Sequence, residues 1–339
     1  MKNIEISKNK EDKILSDGVN KLTVSYSPHL HTNQSAAKIM WSVFLSLIPA
    51  GIAGIFIFGS KALWIISLGI ISAIATEGLL QYLNKKKITL NDGSAALTGL
   101  LLSYNLPANS PWWLVIIGSF VAVAIGKQIF GGLGQNIFNP ALVGRVFLMT
   151  CWPKYMTSFM KPLNAGFNVF GSVNYDAITA ATPLMIVKEG EALSGLSYWD
   201  LFLGRHAGCV GEVCILALLI GALFLLLKKY ISWHIPIIYI ATVGVFSWIF
   251  GQKGLFSGNF LFSILSGGLI LGAFFMATDY VTSPLTRKGQ VIFAAGCGVL
   301  TSVIRLWGGY PEGVSYAILM MNAATPIIDR YTKNRIFGK

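Results

Sequence analysis

Long apolar runs separated by short polar segments dominate the chain from residue 38 onwards. A helix needs about 20 apolar residues to cross a bilayer, and about ten runs approach or reach that length. They lie at 38–58, 62–84, 90–104, 112–130, 138–152, 208–227, 231–250, 258–277, 290–307 and 314–328. The third, fifth and tenth are short, which indicates broken helices or helices buried in a bundle. The pattern therefore predicts an all-α polytopic membrane protein of about ten transmembrane helices.

Composition agrees with this prediction. Of 339 residues, 54% are hydrophobic and 12% are charged, whereas a soluble domain carries about 25% charged residues. This excludes a disordered chain, a disulfide scaffold and a typical soluble enzyme. The net charge is +12, but no soluble stretch is long enough to form a basic domain, so we expect no nucleic-acid partner.

Basic residues define the orientation. With both termini in the cytoplasm, seventeen Lys and Arg residues lie in inside segments and six in outside segments, as the positive-inside rule requires. We therefore expect an inner-membrane protein with residues 1–37 as a cytoplasmic tail and residues 329–339 as a second one. Residues 38–152 and 207–328 form two transmembrane halves. Between them, the long polar insertion 153–206 lies outside the cytoplasm, and such a length is more often functional than a plain connection.

The two halves echo each other in weak but ordered similarities. Gly131-Gly132, which follows Lys127, parallels Gly308-Gly309, which follows Arg305, and Gly93–Gly99 parallels Gly267–Gly272. Chance recurrence is the alternative in a chain with 36 glycines. Five spans per half would make the halves inverted repeats, an arrangement typical of transporters.

A small-residue stretch in the insertion carries two hydroxyl groups. It runs Asp176-Ala-Ile-Thr179-Ala180-Ala181-Thr182-Pro183. On local grounds Thr182 caps a helix that has Pro183 at its first position. The four cysteines and four histidines show no metal-ligand spacing, so we expect no metal site.

The same stretch resembles a flavinylation motif, Asp-x-x-Ser/Thr-Gly/Ala-Ala-Thr, in which the last threonine is esterified to FMN phosphate. Ala180 replaces the commoner glycine. Three further stretches match the same family, namely Gly131–Ala141, Ala277–Thr286 and Arg305–Gly313 with the following Asn322 and Asp329. From about residue 22 to its end, the chain resembles the family that contains the D subunit of the Rnf ion-translocating oxidoreductase complex and the B subunit of the sodium-pumping NADH:quinone oxidoreductase. The short N-terminal tail favours the Rnf type.

The resemblance implies a redox subunit that is not active alone. It would pass electrons through FMN on Thr182, with Asp176, Thr179 and Ala181 as the rest of the motif, between ferredoxin and NAD while the complex moves Na⁺ or H⁺. The chain has neither cysteine clusters for iron–sulfur centres nor a Gly-x-Gly-x-x-Gly nucleotide motif. The implied partners are Rnf subunits A, B, C, E and G, a flavin transferase and the lipid bilayer. The resemblance also allows a second, non-covalent flavin, riboflavin, between the spans.

Acidic residues near spans are candidates for a cation path, because charges are costly in a membrane. They are Glu212, Glu77, Asp92 and Asp279. The alternative is that they cap helices or pair with nearby lysines, and Glu77 and Asp92 flank Lys85–Lys87. Glu212 has no cation within one helical turn of it in the sequence.

Two other classes of function remain open on the sequence. An inverted-repeat solute transporter or channel would use broken spans for a substrate, and a membrane scaffold would only anchor partners. The flavinylation motif separates the first hypothesis from both, since neither alternative needs an acceptor threonine outside the membrane.

Overall fold

The computed structural model describes residues 35–162, 179–190, 197–251, 254–310 and 312–333. Within these ranges the chain is mostly helical, and the described residues from Ala36 onwards form one compact unit. Helical segments lie in all ten predicted apolar runs. The first half contains α1 Ala36–Phe58, α2 Ser60–Leu83, α3 Ser94–Tyr104, α4 Trp112–Val123 and α5 Pro140–Cys151. A π-helical turn, Ala124–Gln128, extends α4.

The insertion is built from short elements. They are α6 Pro153–Met156, β1 Phe159–Met160, β2 Thr179–Ala180, α7 Pro183–Lys188 and α8 Tyr198–Leu203. The two strands pair antiparallel, with Phe159 opposite Ala180. The insertion thus brings the residue pair that precedes Ala181-Thr182 back to the end of the first half.

The second half also contains long helices, together with one broken helix. It contains α9 Ile215–Leu227, α10 His234–Ile249, the hairpin of β3 Phe250–Gly251 and β4 Gly254–Leu255, α11 Phe260–Leu265, α12 Leu269–Leu271, α13 Arg287–Trp307 and α14 Val314–Tyr331. A π-helical turn, Gly272–Met276, extends α12. By length and composition, α1, α2 and α13 are each long and apolar enough to cross a membrane, and five of the other helices are shorter and apolar.

Three predicted runs differ from the observed helices. The run at 90–104 starts with a 3₁₀ turn, Leu90–Asp92, and α3 begins only after Gly93. The run at 208–227 is helical only from Ile215. The run at 258–277 breaks at residues 266–268, because Gly267 and Gly268 adopt φ of 59° and 45°, which a continuing helix cannot hold. At the two ends of the predicted halves, α1 begins before residue 38 and α14 continues past residue 328.

Glycines allow the helices of the first half to approach closely. A Cβ on Gly99 of α3 would lie 2.3 Å from the Gly69 carbonyl oxygen of α2, and one on Gly144 of α5 would lie 2.7 Å from the Gly118 oxygen of α4. Such small-residue contacts are how helices pack where lipid offers no hydrophobic drive. They bring the short helix α3 into the centre of the first half, where all of its residues are buried.

The two halves share one apolar core. Helix α1 packs on α9, and α5 packs on α14, so each contact joins the first half to the second. Many large apolar side chains remain exposed, among them Trp64, Ile71 and Leu227. An exposed apolar surface of this extent fits contact with lipid or with partner proteins.

Candidate functional site

Thr182 lies at the start of α7, as the sequence predicts. Its Oγ1 accepts a hydrogen bond from the Met185 backbone N–H at 3.3 Å, and Pro183 occupies the first helical position. The capping prediction is therefore confirmed. Thr182 is 4% exposed, whereas Ala181 beside it is exposed, so the hydroxyl lies just below the surface.

Helix α7 contacts the second half through three side chains. Met185 packs against the buried cluster of Phe159, Ala207 and Cys209. Leu184 lies against the Gly267 turn, where an added Cβ would come within 2.3 Å of its Cδ1. Lys188 Nζ donates to the backbone oxygens of Gly308 and Tyr310 in the turn between α13 and α14. Burial lowers the pKa of this ammonium group. The predicted flavin segment is thus fixed to the broken helix and to the α13–α14 turn.

A buried ionic cluster lies below these contacts. Arg145, on α5, donates from Nη1 to Glu212 Oε1 at 2.7 Å and from Nη2 to Glu312 Oε2. Nη1 also donates to the Asn105 amide oxygen at the end of α3. The three charged side chains are at most 7% exposed. We call Arg145, Glu212, Glu312, Asn105 and the adjacent Cys209 the Arg145 cluster.

Local backbone structure places Glu212 in this cluster. Residues 209–211 run along the end of α3: the backbone N–H of Val210 donates to Leu106 O, and that of Gly211 to Tyr104 O, both at 3.0 Å. Gly211 is needed here because a Cβ would lie 2.2 Å from the Tyr104 ring. The segment therefore places Glu212 beside Asn105 at the end of α3, just before α9 begins.

The Glu212 carboxylate faces the start of α12. A Cβ on Gly268, the N-terminal cap residue of α12, would lie 2.7 Å from Glu212 Oε1 and 3.1 Å from Oε2. Arg305 closes the other side, donating to the backbone oxygens of Ser263, Ser266 and Gly267. The Arg145 cluster therefore lies against residues 266–268, where the predicted span 258–277 is broken.

A second buried ion pair lies at the start of α3. Lys127 Nζ, in the π-helical turn after α4, contacts both oxygens of Glu77 at 2.8 and 2.7 Å and donates to Ser94 Oγ. Asp92 accepts hydrogen bonds from the Ser94 backbone N–H at 2.9 Å and hydroxyl at 2.6 Å. Glu77 therefore does not pair with Lys85–Lys87, as its position beside them had suggested, but with a lysine fifty residues away.

A cleft opens beside this pair, between the two halves. Its walls are mainly apolar, with a few polar groups. Asp279, half-buried after the π-helical turn of α12, lines it and accepts a hydrogen bond from Thr282 Oγ1 at 3.3 Å. The other polar lining residues are Ser94, Thr98, Lys127, Asn136, Asn139 and Thr278.

Comparison with known proteins places the chain in a family. Residues 23–338 match the model of the NQR2, RnfD, RnfE family. The chain belongs to this family. The D subunit of the Na⁺-translocating ferredoxin:NAD⁺ oxidoreductase complex of Acetobacterium woodii is 51% identical over 94% of this chain and 95% of its own length. The D subunit of the proton-translocating complex of Clostridium ljungdahlii is also 51% identical, over 94% of this chain and 97% of its own length.

A more distant relative also matches over nearly its whole length. The D subunit of the ion-translocating oxidoreductase complex of Shigella dysenteriae serotype 1 is 36% identical over 93% of this chain and 98% of its own length. The family resemblance inferred from the sequence is therefore confirmed, and it covers the Thr182 segment and both helical halves.

The structure brings some of the predicted site residues together and leaves others apart. Glu212 joins the Arg145 cluster, while Glu77 and Asp92 meet at the start of α3. Asp176 lies outside the described residues, and Thr179 is described only as part of β2. Thr182 as flavin acceptor and the acidic residues as a cation path stay predictions.

The partners of Glu212 were not predicted from the sequence. There, Arg145 is only a basic residue within a span, and Glu312 is only part of a matching stretch. The pairs span 67 and 167 residues, so no local spacing reveals them. An arginine inside an apolar run was the available signal, because such a charge requires a carboxylate or carbonyl partner.

Proposed function

We propose that this chain is the flavin-carrying D subunit of a membrane-bound ferredoxin:NAD⁺ oxidoreductase complex that couples electron transfer to the translocation of Na⁺ or protons. The names and near-complete coverage of its relatives support the complex. Thr182 carries the proposal for this chain, because it is a hydroxyl residue at a helix start with small neighbours, in the position where the flavinylation motif ends.

FMN attached through its phosphate to Thr182 would supply one- and two-electron chemistry, which the side chains of this protein lack. The protein positions the attachment point. Three contacts of α7, through Leu184, Met185 and Lys188, hold the segment against the membrane-embedded halves. The exposed Ala181 gives a flavin transferase access to the segment from the extracytoplasmic side.

A second flavin, riboflavin, is proposed for the cleft between the halves. Ligand sites typically have apolar walls with a few polar groups, and the lining of this cleft has that character. Phe274, Phe275 and Tyr230 offer aromatic surface for a ring system, while Asn136 and Asn139 offer hydrogen bonds to its polar edge.

The proposed architecture is ten membrane-embedded helical elements in two inverted repeats. Corresponding ion contacts support the repeat: Lys127 follows α4 and bonds Ser94 at the start of α3, while Arg305 ends α13 and bonds Gly267 just before α12. In each half, the short helix starts after a glycine in the left-handed region, Gly93 or Gly268. Both termini would lie in the cytoplasm of an inner-membrane protein, with the insertion outside.

In this architecture the chain assembles with Rnf subunits A, B, C, E and G. The exposed apolar faces of the helices supply the surfaces that lipid and these subunits would cover. The complex, and not this chain alone, would carry out the oxidoreductase reaction, since FMN would be one carrier in a longer electron-transfer path.

Three variants of Thr182 test the flavin proposal. Denatured wild-type protein should show a flavin-fluorescent band on electrophoresis, and Thr182→Ala should abolish it. Thr182→Asn should abolish it as well while keeping the cap of α7, because asparagine is as good an N-cap as threonine but forms no phosphoester. Thr182→Ser should keep both. Non-covalent riboflavin should appear in the supernatant of all four denatured proteins.

Thr179→Ala is the matched control, since it removes a neighbouring hydroxyl and should at most weaken the band. A mass spectrum that places the flavin on another residue contradicts the assignment. A wild-type protein without any covalent flavin overturns the proposed redox role and favours a transporter.

A further inference from the structure

The Arg145 cluster contains more carboxylates than directly paired cations. Arg145 is the only basic side chain among the described residues within 4.0 Å of Glu212 or Glu312. Arg305 is the other buried arginine nearby, and both of its terminal nitrogens donate hydrogen bonds to backbone oxygens. These two arginines and two glutamates are neutral together when all are ionised, so one added proton would make the group positive.

One oxygen of the cluster is left without a partner. Glu212 is 7% exposed, its Oε1 bonds Arg145, and its Oε2 has no hydrogen-bond partner among the described residues. A buried carboxylate oxygen without a donor is costly, and a proton on that oxygen neutralises the charge that makes most of the cost. The unpartnered atom therefore marks the place where the cluster can take up positive charge.

A metal ion suits the cluster less well than a proton. Cys209 Sγ and single oxygens of Glu212 and Glu312 lie within 4.8 Å of one another, which is close enough for a shared ligand. However, Arg145 Nη1 and Nη2 already bond both carboxylates, so a cation would have to displace or face a guanidinium. A proton on Oε2 leaves both of these bonds in place.

The cluster is also connected to the Thr182 segment. Met185, whose N–H is capped by Thr182, packs against the buried apolar cluster that includes Cys209, and Leu184 packs against the Gly267 turn beside Glu212 and Arg305. Lys188 bonds the turn that leads into Glu312. Buried charges interact strongly with one another because little water screens them.

We propose that the Arg145 cluster is a redox-linked proton site: Glu212, with Glu312 as its neighbour, takes up one proton when an electron arrives at the Thr182 segment and releases it when the electron leaves. This inference rests on the proposed function. Only an O–H bond forms and breaks, the proton comes from water and returns to water, and the added positive charge offsets the added negative one. Arg145 is a positioning residue that keeps the two carboxylates together.

Infrared difference spectroscopy on the purified complex tests the proposal, since only a protonated carboxyl shows a carboxylic C=O stretch. The reduced-minus-oxidised spectrum of the wild type should contain a positive band of this kind that shifts in D₂O. Glu212→Gln should abolish the band. Glu312→Gln should shift the band, because it removes the negative charge beside Glu212. Glu189→Gln is the matched control: this residue is an exposed glutamate at the end of α7 and should leave the spectrum unchanged.

Two further outcomes keep the test decisive. If Glu212→Gln does not assemble, Glu212→Asp keeps a titratable group and should give a displaced band. A wild-type spectrum without the band, or a band that stays unchanged in every cluster variant that assembles, overturns the proton site. A wild-type complex that lacks the fluorescent flavin band fails at the proposed function instead, so the two failures are distinguishable.

Discussion

Arg145 holds side chains from three separate parts of the chain. Arg145→Met has nearly the same length but no charge, and it would leave two buried carboxylates facing each other. Removing one member of a buried ion pair typically costs about 3–5 kcal/mol, so we expect the thermal unfolding midpoint of the detergent-solubilised protein to fall strongly. Adding Glu212→Gln and Glu312→Gln should restore much of the loss.

Arg205→Met is the comparison for this prediction. Arg205 pairs with Asp200 at 3.8 Å and its side chain is 74% exposed. Such surface pairs contribute about 0–1 kcal/mol, so the midpoint should hardly move. Equal effects of the two substitutions would contradict a structural role for the Arg145 cluster.

At the same scale, single functional residues could be located from the sequence better than their partners. The helix cap at Thr182 could be predicted because Thr182 and Pro183 are adjacent in the chain, whereas its role as flavin acceptor is implied by the motif and stays a prediction. The pairing of Glu77 with Lys127, and of Glu212 with Arg145, depends on how distant helices pack. Apolar runs indicate that such charges are buried but not which of them meet.

Among the helical elements, the contact of α2 with α3 offers a direct test of packing. Gly99→Ala would place a Cβ 2.3 Å from the Gly69 backbone oxygen, so the two helices must separate. Overpacking of this kind costs about 1–3 kcal/mol, and the unfolding midpoint should fall accordingly. Gly309→Ala is the control, because a Cβ there meets no atom within 4 Å and should change stability by less than about 0.5 kcal/mol.

Helix positions followed from the apolar runs because each run covers at least 15 residues and is bounded by polar or turn-forming residues. The break in the run at 258–277 could not be predicted in the same way. Residues 265–271 are an apolar segment with three small residues, and its interruption depends on left-handed backbone at Gly267 and Gly268. Small residues are equally compatible with a close-packed unbroken helix, so the pattern could not distinguish the two.

For the whole molecule, orientation is the property that single-cysteine labelling can decide. In a background with Cys151 replaced by alanine, because that thiol is exposed, a cysteine at Lys161 should react with an impermeant reagent added from outside. A cysteine at Lys86 should react only after the membrane is opened, since seventeen basic residues favour that side as cytoplasmic. The reverse pattern would place Thr182 on the cytoplasmic side, away from the predicted insertion topology.

The Arg145 cluster also has a consequence for how the protein is made. Synthesis proceeds from the N-terminus, so Arg145 leaves the ribosome well before Glu212 and long before Glu312. Until residue 312 enters the membrane, the nascent first half carries a guanidinium whose hydrogen-bond partner within the described part of that half is Asn105. A half-made chain is therefore poorly suited to free release into lipid, because its guanidinium lacks the carboxylate partners that the second half supplies.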